Sequence, residues 1–328
     1  MANGQRVEYS IMNLHEDNEA FAELVEVTAE RIGLPQVYVE KDYWVTKALK
    51  HLSESPHFDE VVFKGGTSLS KAYRLIDRFS EDIDLAIFAE EKNNGARKRL
   101  LKSIESVTAQ GLTYLKEDAR ESKGSNFRKT VYQYPHSIEG ENFGQASSEL
   151  LIEINSFANP EPFESRKLQT LIAEVLAQIN QSELIAQYSL EDFSINVLSV
   201  SRTLVEKMLG VIKDSYSEDP VAKLSGRIRH LYDICLILKH DEYRDFVTSD
   251  NFNSLCNICI EDEKVGFFAY SDCFDKPLND APLFSKFKEW RPSLKATYVG
   301  LFADLVYGDL PKMDEIEEAL SFIKENIR

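Results

Sequence analysis

At 328 residues, 43% hydrophobic and 28% charged, the chain has an ordinary globular composition and is long enough for two domains of ~100 to 200 residues each. A formal net charge of −17 argues against a broadly basic nucleic-acid-binding surface, although Arg97-Lys98-Arg99 with Lys102, or Lys123 with Arg128 and Lys129, leave room for RNA at a local patch. No apolar run approaches the ~20 residues of a membrane helix, and the N-terminal stretch lacks a basic region followed by an apolar one; no membrane span or secretory signal is expected, and the cytoplasm is the expected location.

Apolar residues recur at helical spacing over 14–32 and stop at Gly33-Leu34-Pro35, which predicts a helix ending there. A second helix is expected over 37–52, burying Trp44, Val45, Leu49 and Leu52. Its Glu40 and Lys41 read as the charged first turn of a helix, with Asp42 left open. Val61-Val62-Phe63 reads as a strand delivering the chain to Gly65-Gly66, residues 67–76 as a short helix, and residues 82–88 as the next strand. A helix over 96–108 and strands over 127–134 and 148–157 follow. In the last of these, Glu149, Leu151 and Glu153 share one face, with Leu150, Ile152 and Ile154 opposite. A carboxylate within a buried strand is costly unless paired or bound to metal, so Glu153 stands out; the alternative is an edge-strand Glu facing water. Asn155 is a weaker candidate on the same face.

A helix over 165–179 and a strand over 193–198 are expected next. From Ser199 the periodicity is helical, over 199–213, 221–239, 283–308 and 313–327, with Phe252, Leu255, Phe267, Phe268 and Tyr270 as further core candidates. The expected fold class is α+β: a sheet with flanking helices over 1–190, packed without a linker on a mainly helical part over 191–328. Cys235, Cys256, Cys259 and Cys273 all lie in the last third. The one CxxC pair lacks a second ligand pair at zinc spacing, so reduced thiols are expected.

The chemistry concentrates in the stretch from Phe63 to Leu85, FKGGTSLSKAYRLIDRFSEDIDL. If Asp82-Ile83-Asp84 lies in a strand, its period of two puts both carboxylates on one face, and such hard oxygen donors suit Mg²⁺ carrying a nucleoside triphosphate. Gly65 and Gly66 allow close backbone approach with free amides, and Thr67 can cap the helix that follows, which makes a phosphate seat. Glu81, one residue out of phase, is expected to face outward. Phosphate seat plus metal carboxylates reads as phosphoryl or nucleotidyl transfer.

Gly-Gly-Thr, a short helix and then Ser80-Glu81-Asp82-Ile83-Asp84-Leu85 resembles the first motif of the DNA polymerase β-type nucleotidyltransferases. More narrowly, KGGTSLSK with RFSEDIDL is similar to the AbiEii/AbiGii toxin family, the toxin half of bacterial toxin–antitoxin and phage-defence systems. Thr67 stands where the superfamily pattern has Ser, and the spacer to Asp82 is longer than is common there; both features fit the narrower family. Glu40-Lys41-Asp42-Tyr43, Arg202-Thr203-Leu204 with Glu206-Lys207, and Arg229-His230-Leu231-Tyr232-Asp233 extend the likeness.

The resemblance implies a polymerase β-type core and Mg²⁺-dependent transfer of a nucleoside monophosphate from an NTP to RNA, tRNA or protein, with a cognate antitoxin as partner. It implies that Glu153 completes a catalytic metal site with Asp82 and Asp84. Gly65, Gly66, Thr67, Ser68 and Lys207 would hold the triphosphate, and Asp233 would order the site. Lys71, Arg78, Arg229 and His230 are further phosphate-contact candidates. Several alternatives stand beside these roles. Glu206 and Arg229 could simply pair helices, Arg229 and Asp233 lie one turn apart within reach of each other, and His230 could be a hydrogen-bonded structural histidine. A nucleotidyltransferase acting on a small molecule such as an antibiotic, or a nucleotide-binding module without catalysis, are the competing functional readings.

Overall fold

A computed structural model of the chain describes residues 12–89, 92–138, 147–157, 159–265 and 272–328. Phe267, Phe268 and Tyr270, expected in the core, lie outside the described residues. The first helix, α1 (Asn18–Ile32), starts where the Asp17 side chain accepts the Ala20 N–H and stops at Gly33, whose φ of 72° only glycine adopts freely. α2 (Gln36–Ser53) is buried along nearly its whole length. The chain then enters β1 (Val61–Lys64), which passes directly into the short helix α3 (Gly65–Lys71), and returns in β2 (Ile83–Ile87). Helix α4 (Asn94–Thr108) precedes two-residue strands β3 (Thr113–Tyr114) and β4 (Ser122–Lys123), then β5 (Phe127–Gln133) and β6 (Leu150–Asn155).

The expected helix over 165–179 is not formed as such. Residues 163–168 are strand β7 (Phe163–Leu168), and only Leu171–Gln178 is helical (α5), capped by Thr170. Glu164, Arg166 and Lys167 favour a helix in isolation, but β7 pairs antiparallel with β8 (Phe193–Leu198) over six residues, from Phe163 opposite Leu198 to Leu168 opposite Phe193. Strand pairing outweighs a propensity preference of a few tenths of a kcal/mol per residue. Between them lies α6 (Ser182–Gln187).

The C-terminal part comprises α7 (Val200–Ser215), α8 (Pro220–Gly226), α9 (Ile228–Ile237), α10 (Asp241–Thr248), α11 (Asp250–Val265), α12 (Pro282–Val299) and α13 (Met313–Asn326). The single helix expected over 221–239 breaks at Arg227, directly after Gly226, where helix is weakest. The helix expected over 283–308 ends at Val299, before Gly300.

Among the described residues, the strands form one mixed sheet in the order β3-β5-β6-β2-β1-β8-β7, with β4 beside β5. The pairs β2/β6 and β1/β8 are parallel and the others antiparallel. The last two strands in space, β8 and β7, include β8 beyond residue 190, so a division between 1–190 and 191–328 would cut through the sheet. One face of the sheet packs Ile83, Leu85, Ile87, Leu150, Ile152 and Ile154 against α1, α2, α4 and α5 in a common core. The helices from α7 onward build a second core around Met208, Ile212, Leu231, Tyr232 and Leu294. All four cysteines are buried in that second core. Among the described residues no helix is long and apolar enough to cross a membrane.

Candidate active site

The Val61-Val62-Phe63 run buries the first three residues of β1, and antiparallel pairing sets Lys64 opposite Asp84 and Phe63 opposite Leu85. β2 alternates: Ile83 and Leu85 enter the core, so Asp84 must face the other way. On its far side β2 pairs in parallel with β6, and Asp84 stands in register with Glu153. β6 lies between β2 and β5, so Glu153 sits on an interior strand, and the edge-strand alternative does not hold.

Gly65 turns the chain at the end of β1 with φ of 81°, and a Cβ there would overlap the Asp84 carboxylate. At Gly66 a Cβ would collide with the Arg78 guanidinium and approach Ser80 Oγ to 2.9 Å. The two glycines are therefore the floor over which the carboxylate and the guanidinium close.

Asp82, Asp84, Glu153, Gly65, Gly66, Lys207 and Arg229 all line one cavity of about 810 Å³ between the sheet and α7, α9 and α11. Lys64, Arg78, Ser80, Arg202, Glu206, Lys213, Arg227 and His230 line it too. Four of the expected residues do not. Thr67 and Ser68 are fully buried: Thr67 donates its hydroxyl to the Asp82 carbonyl at 2.6 Å and Ser68 to the Gly65 carbonyl at 2.9 Å. They fix the turn rather than face a ligand, and α3 already begins at Gly65, so Thr67 lies within the helix instead of capping it. Lys71 points to Asp42, with which it forms an ion pair, and Asp42 also accepts the Leu171 N–H at 2.8 Å. Asp233 is wholly enclosed beneath the cavity.

Asp233 holds the cationic wall. Arg78 approaches it bidentately, Nε at 2.7 Å and the second nitrogen at 2.8 Å, and Lys207 Nζ lies 2.8 Å from the same carboxylate. Burial alone would raise the Asp233 carboxyl, but Arg78 and then Lys207 outweigh it and hold it well below the usual carboxylate range. The ion pair expected between Arg229 and Asp233 is absent, because Asp233 turns inward and Arg229 stays exposed. Arg78 is brought there by the C-terminal segment: Phe79 donates its N–H to the Leu305 carbonyl at 2.7 Å, and Arg78 and Val306 form an antiparallel bridge.

The remaining cations are also compensated. Lys64 contacts Glu206 at 2.5 Å, and Arg202 reaches Glu206 at 3.3 Å, Asp262, and the Glu161 carbonyl at 2.9 Å. Lys213 pairs with Glu263 at 2.7 Å and Arg227 with Asp214 at 2.6 Å. His230 is pushed well below its usual range, first by burial and then by Lys207, so it is neutral at pH 7.

The carboxylate cluster stands in contrast. Neither Asp82 nor Asp84 has an ion-pair partner among the described residues, and Glu153 is compensated by Lys129 at 2.5 Å. Burial, then the charges of Glu153 and Asp82, hold the Asp84 carboxyl well above its ordinary value. Among the described residues no three His, Cys, Asp or Glu side chains already converge on one coordination point. β2 begins at Ile83 rather than at Asp82, so the expected strand is shorter: Asp84 and Glu153 stand on adjacent strands and Asp82 just before β2. These three hard carboxylate donors, one held upward by its neighbours, nevertheless form the donor set and the electrostatic imbalance that a hard divalent cation would relieve.

Glu81, expected to face outward, is directed inward. It takes Lys41 at 2.5 Å and the Ser147 N–H at 3.0 Å, and Lys41, fully buried, also donates to the carbonyls of Ser147 and Glu149. The reading of Glu40 and Lys41 as a charged first turn is thereby corrected: α2 starts at Gln36, both side chains are buried, and the Lys41 ammonium is satisfied inside the protein. The alternation of FRKTVY puts Lys129 on one face with Phe127, but its partner Glu153 emerges only from the β5/β6 register. Of the RNA-patch candidates, Arg128 is buried against Glu105 and Lys129 is taken by Glu153.

Carboxylates on adjacent strands, a glycine turn beside them and a wall of fixed cations across an open cavity define an enzyme that transfers phosphorus-containing groups. A family profile described as nucleotidyl transferase AbiEii toxin, type IV toxin–antitoxin system, matches residues 47–324, and the chain belongs to this family of nucleotidyltransferase toxins. Among solved structures it is similar to MenT4, a nucleotidyltransferase toxin from Mycobacterium tuberculosis H37Rv, at 14% identity and a TM-score of 0.46 over 91% of this chain and 98% of that one. No curated protein matches the chain in sequence.

Proposed function

We propose that the enzyme transfers a nucleoside monophosphate from an NTP to RNA, tRNA or a protein hydroxyl, and that Asp82, Asp84 and Glu153 are its catalytic carboxylates. The observation that carries this reading is the register of Asp84 with Glu153 on parallel strands, directly beside the Gly65 turn and facing Lys207. Asp82, Asp84 and Glu153 would hold Mg²⁺, which when bound neutralises charge developing on the α-phosphate and on leaving pyrophosphate. Amides of the Gly65-Gly66 turn approach the triphosphate closely because neither residue carries a side chain. Lys207 and Arg78 supply fixed positive charge, and Asp233 prevents them from swinging into the carboxylates. Arg229, exposed at the rim, is the cation best placed to meet a polyanionic ligand as it enters. Neutral His230 can donate a hydrogen bond without adding charge. A cytoplasmic location and a cognate antitoxin are part of the same proposal.

Incubating the purified chain with each α-labelled NTP, Mg²⁺ and total RNA or cell lysate, then separating RNA from protein, identifies both donor and acceptor. Asp84→Asn should lower labelling by at least about a thousandfold, the scale expected when a catalytic electrostatic contact is removed, with an unchanged melting temperature. Undiminished labelling by the variant would remove the carboxylates from the mechanism. Label appearing only on an added antibiotic would establish the small-molecule reading instead.

A further inference from the structure

We propose that Asn155, with the aromatic pair Phe127 and Phe157, is a base-reading subsite in the nucleotide cavity; this rests on the nucleotidyl-transfer reading above. Asn155 lies two residues past Glu153 on the same face of β6, about 7 Å further along the strand. It stands between Phe127 of β5 and Ala86 of β2, both in register with it. All three proposed residues line the same cavity as the carboxylates. The Asn155 side-chain oxygen is buried and has no hydrogen-bond partner among the described residues. A buried acceptor left unpaired costs free energy, so its place inside a ligand cavity calls for a donor supplied by the ligand.

The ring centroids of Phe127 and Phe157 lie 6.5 Å apart with planes inclined at 38°, and both rings line the cavity. A flat heterocycle that stacks on an aromatic face and offers an N–H edge to the amide satisfies all of these at once. Such a ligand is a nucleobase. Gly66, Arg78 and Ser80, close to one another, line the same cavity, and the carboxylates Asp84 and Glu153 stand two residues along their strands from Ala86 and Asn155.

The base can belong to the incoming NTP or to the acceptor's terminal nucleotide, and two calorimetric arms separate these sources. In one, the full chain with Mg²⁺ is titrated with α,β-methylene analogues of ATP, CTP, GTP and UTP, and with inorganic tripolyphosphate. In the other it is titrated with RNA trinucleotides differing in the 3′ base. The wild type should discriminate among bases by about tenfold or more in one arm, as stacking plus one buried hydrogen bond allows. Asn155→Leu should reduce that to about twofold and leave tripolyphosphate affinity unchanged; replacing an unpaired buried amide by an apolar group of similar size does not threaten the fold. Phe127→Leu should weaken all bases together in the same arm. The arm in which discrimination collapses names the source of the base. Discrimination kept by Asn155→Leu in both arms, or no discrimination by the wild type in either, overturns the subsite. A wild type that binds neither tripolyphosphate nor any NTP analogue overturns the nucleotidyl-transfer reading itself.

Discussion

One added methyl group at position 65 tests the geometry of the glycine turn. Gly65 has φ of 81°, where a side chain costs about 1–2 kcal/mol, and its Cβ would overlap the carboxylate of Asp84. Gly65→Ala should therefore fold with a modestly lower melting temperature and lose transfer activity on the order of a hundredfold, the effect of a misplacement near 1 Å. Retention of full activity would show that the turn and the carboxylate do not act together. Glu40 offers a different test. Its carboxylate is enclosed: Oε1 accepts the Ser137 N–H at 2.6 Å, while Oε2 has no hydrogen bond among the described residues and His136 Nδ1 stands 3.9 Å from it. Burial pushes the carboxyl up to about 7, against the pull of the Ser137 and Ile138 amides. Because the folded pKa lies above the ordinary 4.5, the folded state binds more protons between those values, and Glu40 lowers stability as pH rises from about 4.5 to 7. Glu40→Gln should match the wild-type melting temperature near pH 4.5 and exceed it at pH 8. Parallel curves for the two proteins would refute this.

At the scale of elements, α2 does more than cover the sheet. Its Lys41 ties Glu81, the residue before Asp82, to the chain entering β6 at Ser147 and Glu149, so one buried ammonium registers both carboxylate-bearing segments. Lys41→Met leaves Glu81 buried without its partner and should cost about 3–5 kcal/mol in urea unfolding. The double variant Lys41→Met with Glu81→Leu should recover most of that loss in stability while transfer stays impaired. If the double variant is as unstable as the single one, the pair does not act as a unit. The helix pattern of 36–53 was legible in the sequence, yet the burial of its charged turn was not, because covering by α1, α4, α5 and the 147–149 segment is a non-local event. The helical expectation over β7 fails for the same reason: of Phe163–Leu168 only Leu168 is buried, so no alternation marks a strand, and only pairing with β8 decides its state.

For the whole molecule, the two hydrophobic cores share α2, which gives Val37 and Tyr38 to the helical core and Val39, Tyr43, Trp44 and Leu49 to the sheet core. The buried Arg78–Asp233 and Lys207–Asp233 pairs join them again at the cavity. We infer that the chain unfolds as one cooperative unit, and scanning calorimetry should give a single transition with calorimetric and van't Hoff enthalpies in agreement. Two resolved transitions would instead support independent domains.

The sequence by itself determined the glycine turn, the Asp82–Asp84 pair, the facing of Glu153 and the family. These rest on residue type and on the periods of strand and helix, which are local. Tertiary structure alone decided that Asp233 serves Arg78 and Lys207 rather than Arg229, that Thr67, Ser68 and Lys71 turn away from the cavity, that Glu81 points inward, and that Lys129 faces Glu153. Each of these choices is a competition among ionic and hydrogen-bonding partners distant in sequence. It is resolved by strand register and by which groups burial forces to pair, and neither is written in any single segment.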